Sequence, residues 1–382
     1  MSSPLEHGVV GTAQDRRFMA VALGLARRVL GTTAPNPAVG AVIVDDASGE
    51  MIARGWTQPG GRPHAEAHVL QRAGARARGK TMYVTLEPCS HHGRTPPCAD
   101  AIRAAGVRRV VCAIEDPNPE ISGQGFASLR RAGIAVETGV CAEDARWMAA
   151  GHILRMTKGR PFVQLKLAVS ADALIAPGDG APRWVTSEAA RAYAHLLRAR
   201  ADGILIGRQT VEDDDPQLTC RLPGLGNRSP RRYVLDTRLR TASTSKLASS
   251  AGTVPVTLIG AADAPHPGLP ASVMIRRVAM AGSGLSLSAV LASLAEDGVT
   301  RLLVEGGPHV AGSFVAADLV DEAVIAHGTE TLAAAGVLPL ADRGLEAFDE
   351  EARWRVHSER RLGSNRLTVY RARRHLGART GA

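Results

Sequence analysis

The sequence is poor in aromatic side chains, and this scarcity argues against one large class of partners. Phe, Trp and Tyr make up 3% of the 382 residues, which leaves few rings on which splayed nucleic-acid bases could stack. Lys and Arg exceed Asp and Glu by 46 − 37 = 9, so anionic partners are favoured. Because the arginines are scattered rather than clustered, small phosphorylated ligands are a better expectation than nucleic acid.

Cysteines are also few, and their number is odd. They lie far apart in a long chain, unlike the dense, even set of a disulfide-stapled domain. The five are Cys89, Cys98, Cys112, Cys141 and Cys220. We therefore expect a reducing compartment and a cytoplasmic protein.

Long apolar runs are missing as well. No stretch of roughly 18 uncharged apolar residues occurs, so neither a spanning helix nor a membrane partner is expected. The segment from Arg16 to Ala26 superficially resembles a secretory signal, but it runs directly into Arg27 and Arg28 and lacks a convincing cleavage site. The prediction is an amphipathic first helix over 15–30.

The length of the chain exceeds that of a typical single hydrophobic core and suits two domains of roughly 100 to 200 residues each. Apolar runs bounded by Gly and Pro alternate with helical periods, which is typical of α/β architecture. A helix predicted over 142–156 ends in the Gly and Pro stop at Thr157–Pro161. We therefore predict a first domain over 12–156, around a mostly parallel sheet, and a second over 160–374 that closes in a hairpin at Gly363–Asn365.

The most specific motif combines a histidine, a glutamate and two cysteines. His64 and Glu66 stand at the start of a predicted helix, while Cys89 and Cys98 follow a predicted strand. One imidazole and two thiolates are good zinc ligands, and three protein ligands leave the fourth tetrahedral position open for water. Zinc lowers the pKa of that water to about 7, and Glu66 is placed to take its proton. The set predicts a zinc-dependent hydrolytic site.

Each of these residues alone has an ordinary explanation as part of a helix start or as a buried thiol. Zinc deaminases share the His-x-Glu and Pro-Cys elements, but with two residues between the cysteines where this chain has eight. The longer insert suggests a loop that contributes substrate contacts. His68, one turn after His64, is a competing ligand, whereas Cys112, Cys141 and Cys220 are interpreted as ordinary thiols.

Four segments of the N-terminal half resemble a known family, the bifunctional riboflavin biosynthesis deaminase/reductases. They are Asn36–Gly40, His64–Glu66, Thr85–Cys98 and Asp116–Pro119. The resemblance implies a cytidine-deaminase-like α/β/α sandwich with zinc ligands His64, Cys89 and Cys98 and with Glu66 as the proton-transferring residue. It also implies substrate contacts at Asn36, His91 and Arg94.

The reaction that this resemblance implies is the hydrolytic loss of ammonia from the C2 amino group of a diaminopyrimidinone. The substrate carries a ribosylamino 5′-phosphate, so the expected partner is a small phosphorylated pyrimidine. The family is commonly oligomeric, and a homo-oligomer of two or more chains is therefore expected.

The residues of the C-terminal half are less informative by themselves. Gly306 and Gly307 follow a predicted strand and open a helix, where phosphate can approach backbone amides. A plain tight turn explains them equally well, since no Gly-x-Gly-x-x-Gly is present. A second strand-to-helix junction runs from Ile206 to Pro216, and its acidic residues also fit a solvated turn.

Several segments of this half are nevertheless similar, in order and spacing, to the reductase domain of the same family. They are Gln164–Ala168, Trp184–Ser187, Leu197–Arg198, Thr210–Val211, Asp214–Pro216, Leu218–Arg221 and Glu305–Pro308. The resemblance implies a dihydrofolate-reductase-like α/β domain that uses NADPH to reduce the ribosyl group to ribityl. The implied cofactor contacts are Ala168, Trp184, Thr210, Asp214, Gly306 and Gly307. The implied substrate contacts are Arg198, Leu218, Arg221 and Glu305, with Lys166 as a further candidate; the two arginines suit a phosphate.

Three departures from the family pattern lie beside the predicted cofactor cleft. Ala173 and Leu174 replace a usual glycine and basic residue, Pro182 stands where a substrate-facing serine is common, and 327–329 replaces a usual Ala-Pro stretch. A deaminase with an impaired reductase domain is therefore the alternative function.

Two rival functions explain less of the chain. A nucleic-acid base deaminase shares the metal and glutamate chemistry, but it leaves the second domain and the eight-residue insert unexplained. A zinc-stabilised module that binds RNA would require a fourth protein ligand to close its metal site.

Overall fold

The structure is a computed structural model that describes residues 10–90, 96–118, 121–176, 185–266, 268–332 and 336–375. The chain divides into two compact units, an N-terminal unit over Met1–Gly159 and a C-terminal unit over Arg160–Ala382. Each unit has a sheet and a buried apolar cluster of its own. Among the described helices, none is long and apolar enough to cross a membrane.

The N-terminal unit alternates helices and strands along the chain. Its α-helices and strands are α1 (Ala13–Arg28), β1 (Gly40–Asp45), β2 (Glu50–Trp56), α2 (Ala65–Ala73), β3 (Thr81–Val84), α3 (Cys98–Ala104), β4 (Arg109–Cys112), α4 (Gln124–Arg131), β5 (Ala135–Thr138), α5 (Ala142–Met148) and α6 (Ala150–Lys158). The predicted amphipathic first helix is confirmed, since α1 buries Phe18, Met19 and Leu23 on one side. The helix begins with a capping box at Thr12.

The five strands of this unit form one mixed sheet in the order β2-β1-β3-β4-β5. The pairs β3/β4 and β4/β5 are parallel, whereas β1 runs antiparallel to both β2 and β3. The prediction of a mostly parallel sheet is therefore wrong for half of the pairs, because the short β1–β2 connection makes a hairpin rather than a helical crossover.

Two glycines allow helices to lie directly on this sheet. A Cβ atom on Gly40 would come within 1.9 Å of the Ala22 carbonyl in α1, and one on Gly55 within 2.6 Å of the Val69 nitrogen in α2. Both helices therefore need a bare backbone beneath them. The contact at Gly55 places the start of α2, and with it His64, against the sheet.

The single helix predicted over 142–156 is two helices, α5 and α6. The chain leaves the helical region at Ala149, with φ −85° and ψ 3°. Ala149 and Ala150 are both buried, and Gly151 follows in the first turn of α6. The sequence offered this single glycine as a signal, and it did not lead to the prediction of a break.

The C-terminal unit has the larger sheet. Its α-helices and strands are β6 (Phe162–Val169), α7 (Glu188–Ala199), β7 (Gly203–Gly207), α8 (Arg208–Asp214), β8 (Arg231–Leu235), α9 (Lys246–Ser249), β9 (Val256–Ala261), β10 (Val273–Val278), β11 (Met280–Ala281), β12 (Gly284–Leu285), α10 (Leu287–Glu296), β13 (Arg301–Val304), α11 (Pro308–Ala316), β14 (Glu322–His327), β15 (Trp354–Leu362) and β16 (Asn365–Ala372). The sheet order is β10-β9-β8-β7-β13-β6-β14-β16-β15.

The strands from β10 to β14 are parallel, and the antiparallel pair β15/β16 extends the sheet beyond β14. The predicted closing hairpin is confirmed, since Leu362 pairs with Asn365 across a two-residue turn in which Gly363 has φ 61°. The acidic run after Ile206 forms helix α8 rather than a solvated turn. In the parallel part, β7, β13 and β6 are neighbours, so their carboxyl ends share one edge of the sheet.

Candidate active sites

The predicted zinc ligands of the N-terminal unit lie together. His64 precedes the first turn of α2, Cys89 follows β3, and Cys98 is the first residue of α3. The Nδ1 atom of His64 lies 3.7 Å from the Sγ atom of Cys89 and 3.5 Å from that of Cys98, and the three ligand atoms all fall within 4.8 Å of one another. Ligands at normal bond lengths from a tetrahedral zinc stand roughly 3.6 Å apart, so the donor set fits the metal in chemistry and in spacing.

Local hydrogen bonds place the two thiols. The Cys98 amide donates to the Cys89 Sγ atom over 3.3 Å, and the Ala99 amide donates to the Cys89 carbonyl over 3.1 Å. The first turn of α3 therefore fixes Cys89 by two hydrogen bonds. Backbone N–H groups at a helix start stabilise a thiolate, which is the form that binds metal.

The two thiols and the imidazole lie so close together that each changes the pKa of its neighbours. A hydrogen bond from Cys98 lowers the pKa of Cys89 to about 4, with a further contribution from His64 against the opposing effect of burial. The same bond, together with burial, raises the pKa of Cys98. Binding of a metal would release any proton that the two thiols carry, because a thiolate is the form that ligates zinc.

Glu66 lies in the first turn of α2, and its side chain is only 4% exposed. Burial, followed by the neighbouring Cys89, raises its pKa to about 7. A bound cation would favour the carboxylate form, since opposite charge stabilises ionisation. Glu66 is therefore a buried carboxyl group beside the predicted metal ligands.

The other residues predicted for this site have different positions. Asn36 donates from Nδ2 to the Gly61 carbonyl over 2.8 Å, which ties its loop to the segment that leads into His64. His68 turns away from the ligand cluster, because its Nδ1 atom lies 2.8 Å from Gln58 Nε2 and its ring packs against Trp56. His91 and Arg94 lie outside the described residues.

Glu87 is a residue of this site that the sequence analysis left without a role. Its buried carboxylate accepts hydrogen bonds from four backbone amides, those of Asp116, Gly123, Gly125 and Phe126, over 2.8 to 3.2 Å. It thereby binds the start of α4 and the loop after β4 to the segment that leads into Cys89. Its place two residues before Cys89 was the available signal, but the partners lie about 30 to 40 residues later in the chain.

In the C-terminal unit, the predicted substrate residues meet at the carboxyl ends of the central strands. The strand pairing of β13 with β6 places Glu305 beside Lys166. Arg198, on α7, donates two hydrogen bonds to the Glu305 carboxylate, over 2.9 and 2.7 Å. Burial alone would raise the pKa of Glu305, but Arg198 and Lys166 lower it. Burial also lowers the pKa of Lys166. The cluster therefore consists of one carboxylate and two basic side chains.

The predicted cofactor residues Thr210 and Gly307 contact each other. The Gly307 amide donates to the Thr210 hydroxyl over 3.1 Å, which joins the first turn of α8 to the turn before α11. A Cβ atom on Gly306 would lie 2.7 Å from the Val310 Cβ atom, so the turn packs tightly on its helix. Such a turn at a helix start offers backbone amides to a phosphate.

The remaining predicted positions are distributed around this edge of the sheet. Ala168 lies on β6, two residues beyond Lys166 and on the same face. Asp214 is the exposed last residue of α8. Leu218 and Arg221 lie on the segment that follows, whose Thr219 carbonyl accepts from Arg198 over 3.2 Å. Trp184 and Pro182 lie outside the described residues.

Two family models match successive parts of the chain. The family described as the cytidine and deoxycytidylate deaminase zinc-binding region matches residues 12–114, and the RibD C-terminal domain matches residues 161–365. The chain is 39% identical over 363 residues to the riboflavin biosynthesis protein RibD of Escherichia coli, covering 92% of this chain and 97% of that protein.

Two solved structures are similar over almost the whole chain. One is RibD of Acinetobacter baumannii, with a TM-score of 0.82 and 33% identity. The other, from Thermotoga maritima, is a diaminohydroxyphosphoribosylaminopyrimidine deaminase/5-amino-6-(5-phosphoribosylamino)uracil reductase, with a TM-score of 0.82 and 34% identity. Each comparison covers 94% of this chain and 99% of the other.

Proposed function

The chain belongs to the RibD family of bifunctional deaminase/reductases, and from this membership we propose its substrate and its order of steps. Residues 12–156 remove ammonia from 2,5-diamino-6-(5-phosphoribosylamino)pyrimidin-4(3H)-one. Residues 160–374 then reduce the ribosyl group of the product to ribityl with NADPH. The observation that carries the first step is the spacing of His64, Cys89 and Cys98 beside the buried Glu66.

In the deamination, His64, Cys89 and Cys98 would hold zinc, which supplies a Lewis acid for attack by water at neutral pH. Glu66 takes a proton from the attacking water and returns it to the amino group that leaves C2 as ammonia. Burial raises the pKa of Glu66, whereas bound zinc would favour its carboxylate, the form that accepts the proton from water. Asn36, His91 and Arg94 are assigned to substrate binding.

In the reduction, NADPH would supply a hydride. The Gly306–Gly307 turn and Thr210 are assigned to its phosphates, since the turn lies at the start of α11 and the Thr210 hydroxyl, which accepts from the Gly307 amide, keeps its own hydrogen to donate. Ala168, Trp184 and Asp214 are the further positions assigned to the cofactor. Arg198 and Arg221 are assigned to the substrate phosphate. Glu305 orients Arg198, and the adjacent Lys166 is assigned to the substrate ring.

A coupled assay on the zinc-loaded protein tests this function. The diaminopyrimidinone substrate is supplied with and without NADPH, and ammonia and NADPH oxidation are followed separately. We expect ammonia release in both cases and NADPH oxidation only after it. Glu66→Gln should reduce ammonia release by at least about 100-fold, while the exposed variant Glu50→Gln should match the wild type.

The two halves of the proposal fail separately in this assay. Absence of ammonia release from the wild type would contradict the first step. Ammonia release without NADPH oxidation would contradict the second step and would support a deaminase whose reductase unit is impaired.

A further inference from the structure

The segment from Gln217 to Arg221 lies in the connection between α8 and β8 and carries two of the predicted substrate contacts, Leu218 and Arg221. It belongs to no helix or strand, so no regular ladder of hydrogen bonds fixes it. Leu218 is nevertheless buried, and it has φ 56°, a left-handed conformation that a residue with a Cβ atom rarely adopts. The segment must therefore be held in place by its surroundings.

Two side chains of α7 bind the backbone of this segment from one side. His195 and Arg198 are three residues apart and so share a face of the helix. The Nδ1 atom of His195 lies 3.1 Å from the Thr219 carbonyl oxygen and 3.3 Å from the Arg221 nitrogen. Since Arg198 also donates to the Thr219 carbonyl, both side chains converge on one peptide group.

Other contacts fix the same segment along its length. Arg232, whose side chain is fully buried, donates to the Gln217 carbonyl over 3.1 Å, and the Cys220 amide donates to the Ser229 hydroxyl over 3.1 Å. These contacts flank Leu218 and Thr219. His195 differs from these residues because one of its side-chain atoms, Nδ1, contacts the backbone of both Thr219 and Arg221.

We propose that His195 is a positioning residue of the reductase, which holds Leu218 and Arg221 where the substrate requires them without itself contacting substrate or cofactor. The proposal rests on the reductase function proposed above. A single ring nitrogen serves either as a donor to Thr219 or as an acceptor from Arg221, according to the tautomer. In both cases, loss of this nitrogen removes a hydrogen bond to the backbone of the segment that carries Leu218 and Arg221.

The test compares His195→Leu, which removes the nitrogen, with His195→Asn, whose amide reaches the position of Nδ1. His266→Ala, at an exposed histidine, is the matched control. Each full-length variant is given the deaminated phosphoribosylamino substrate and NADPH, and the two KM values and kcat are measured. Ammonia release by the N-terminal unit and far-UV circular dichroism monitor folding in the same preparations.

We expect His195→Leu to raise the KM for the phosphoribosylamino substrate by about tenfold, the loss expected for one hydrogen bond. The KM for NADPH should change by less than about twofold, and His195→Asn should return the substrate KM to within about threefold of the wild type. A merely structural role would not produce this split between the two KM values or the rescue by asparagine.

An unchanged substrate KM in His195→Leu would overturn the proposal, as would an equal loss in both KM values or a failure of asparagine to restore binding. If His195→Leu loses secondary structure, His195→Ala takes its place in the comparison. A wild-type protein that oxidises no NADPH would instead contradict the reductase function, and the positioning role with it.

Discussion

Ala173 has a backbone conformation that favours glycine. Its φ is 62°, in a tight turn where the Ser170 hydroxyl accepts from the Leu174 amide over 3.0 Å and the Leu332 amide donates to Asp172. These bonds hold the turn although alanine in the left-handed region costs about 1–2 kcal/mol. The glycine that the family pattern leads one to expect here therefore has a physical purpose, and the turn is kept without it.

We predict that Ala173→Gly raises the free energy of unfolding of the C-terminal unit by about 0.5 kcal/mol, because relief of the strain exceeds the extra chain entropy of glycine. Ala173→Val should lower it by about 1 kcal/mol or more, since a β-branched residue tolerates positive φ poorly. Denaturant unfolding measures both values. Destabilisation by glycine would show that the turn is not strained.

Asp15 is a second residue with a large local effect. Its side chain is 1% exposed and accepts hydrogen bonds from Arg109, Thr12 and Tyr83. Burial alone would raise the pKa of this carboxyl, but these partners hold it well below its usual range. The carboxylate therefore stabilises the fold only while it is ionised.

We predict that Asp15→Asn lowers the free energy of unfolding of the N-terminal unit by about 1–3 kcal/mol at pH 7, since Arg109 loses its buried partner and keeps only the half-exposed Glu137. Because the folded pKa is depressed, this stabilisation is complete above the unfolded pKa of about 4 and is lost as the pH falls towards the folded value. Wild type and variant should therefore converge in acid. A difference that stays constant from pH 7 to pH 2 would contradict this account.

At the scale of secondary-structure elements, Glu87 joins α4 to the segment that carries Cys89. Its carboxylate accepts hydrogen bonds from four backbone amides. It thereby pairs N–H groups that have no partner within the helix, and its negative charge is favourable at a helix N-terminus. Gly125 lies so close to the Pro88 carbonyl that a Cβ atom would come within 2.1 Å. The start of α4 therefore packs directly against the residues that precede Cys89.

We predict that Glu87→Gln weakens zinc binding by about 10- to 100-fold, the usual effect of losing a group that supports metal ligands. The amide would also place N–H groups against backbone donors, and the unsatisfied groups should cost about 1–3 kcal/mol of stability. Competition with a chromogenic chelator measures the affinity. Glu50→Gln, which removes an exposed ion pair with Arg76, is the control and should have an affinity equal to that of the wild type.

At the scale of the whole molecule, the metal ligands and the proposed reductase residues lie in different units, each with its own buried apolar cluster. We therefore expect zinc to be required by the N-terminal unit and not by the C-terminal unit. We predict that a zinc chelator abolishes ammonia release, that added zinc restores it, and that NADPH oxidation with the already deaminated substrate falls by less than about twofold. Parallel loss of both activities on chelation would show that the reductase also depends on the metal.

The sequence by itself determined the α/β class, the closing hairpin and the set of His64, Glu66, Cys89 and Cys98. These follow from residue type and short spacing, because zinc needs particular ligand atoms and a two-residue turn needs a glycine with positive φ. Resemblance to a family extended the prediction to the C-terminal residues, for which spacing alone was ambiguous. The roles of all these site residues remain predictions, and His91, Arg94, Pro182 and Trp184 also lie outside the described residues.

Only the tertiary structure decided which distant residues meet. Arg198 and Glu305 are 107 residues apart in the chain, and they pair because the fold brings the last turn of α7 to the residue that follows β13. The same dependence on packing explains the bonds of Glu87, the contact of His195 with Thr219 and the antiparallel β1. Such contacts depend on strand order and register, which arise from the burial of whole faces and cannot be read from local spacing.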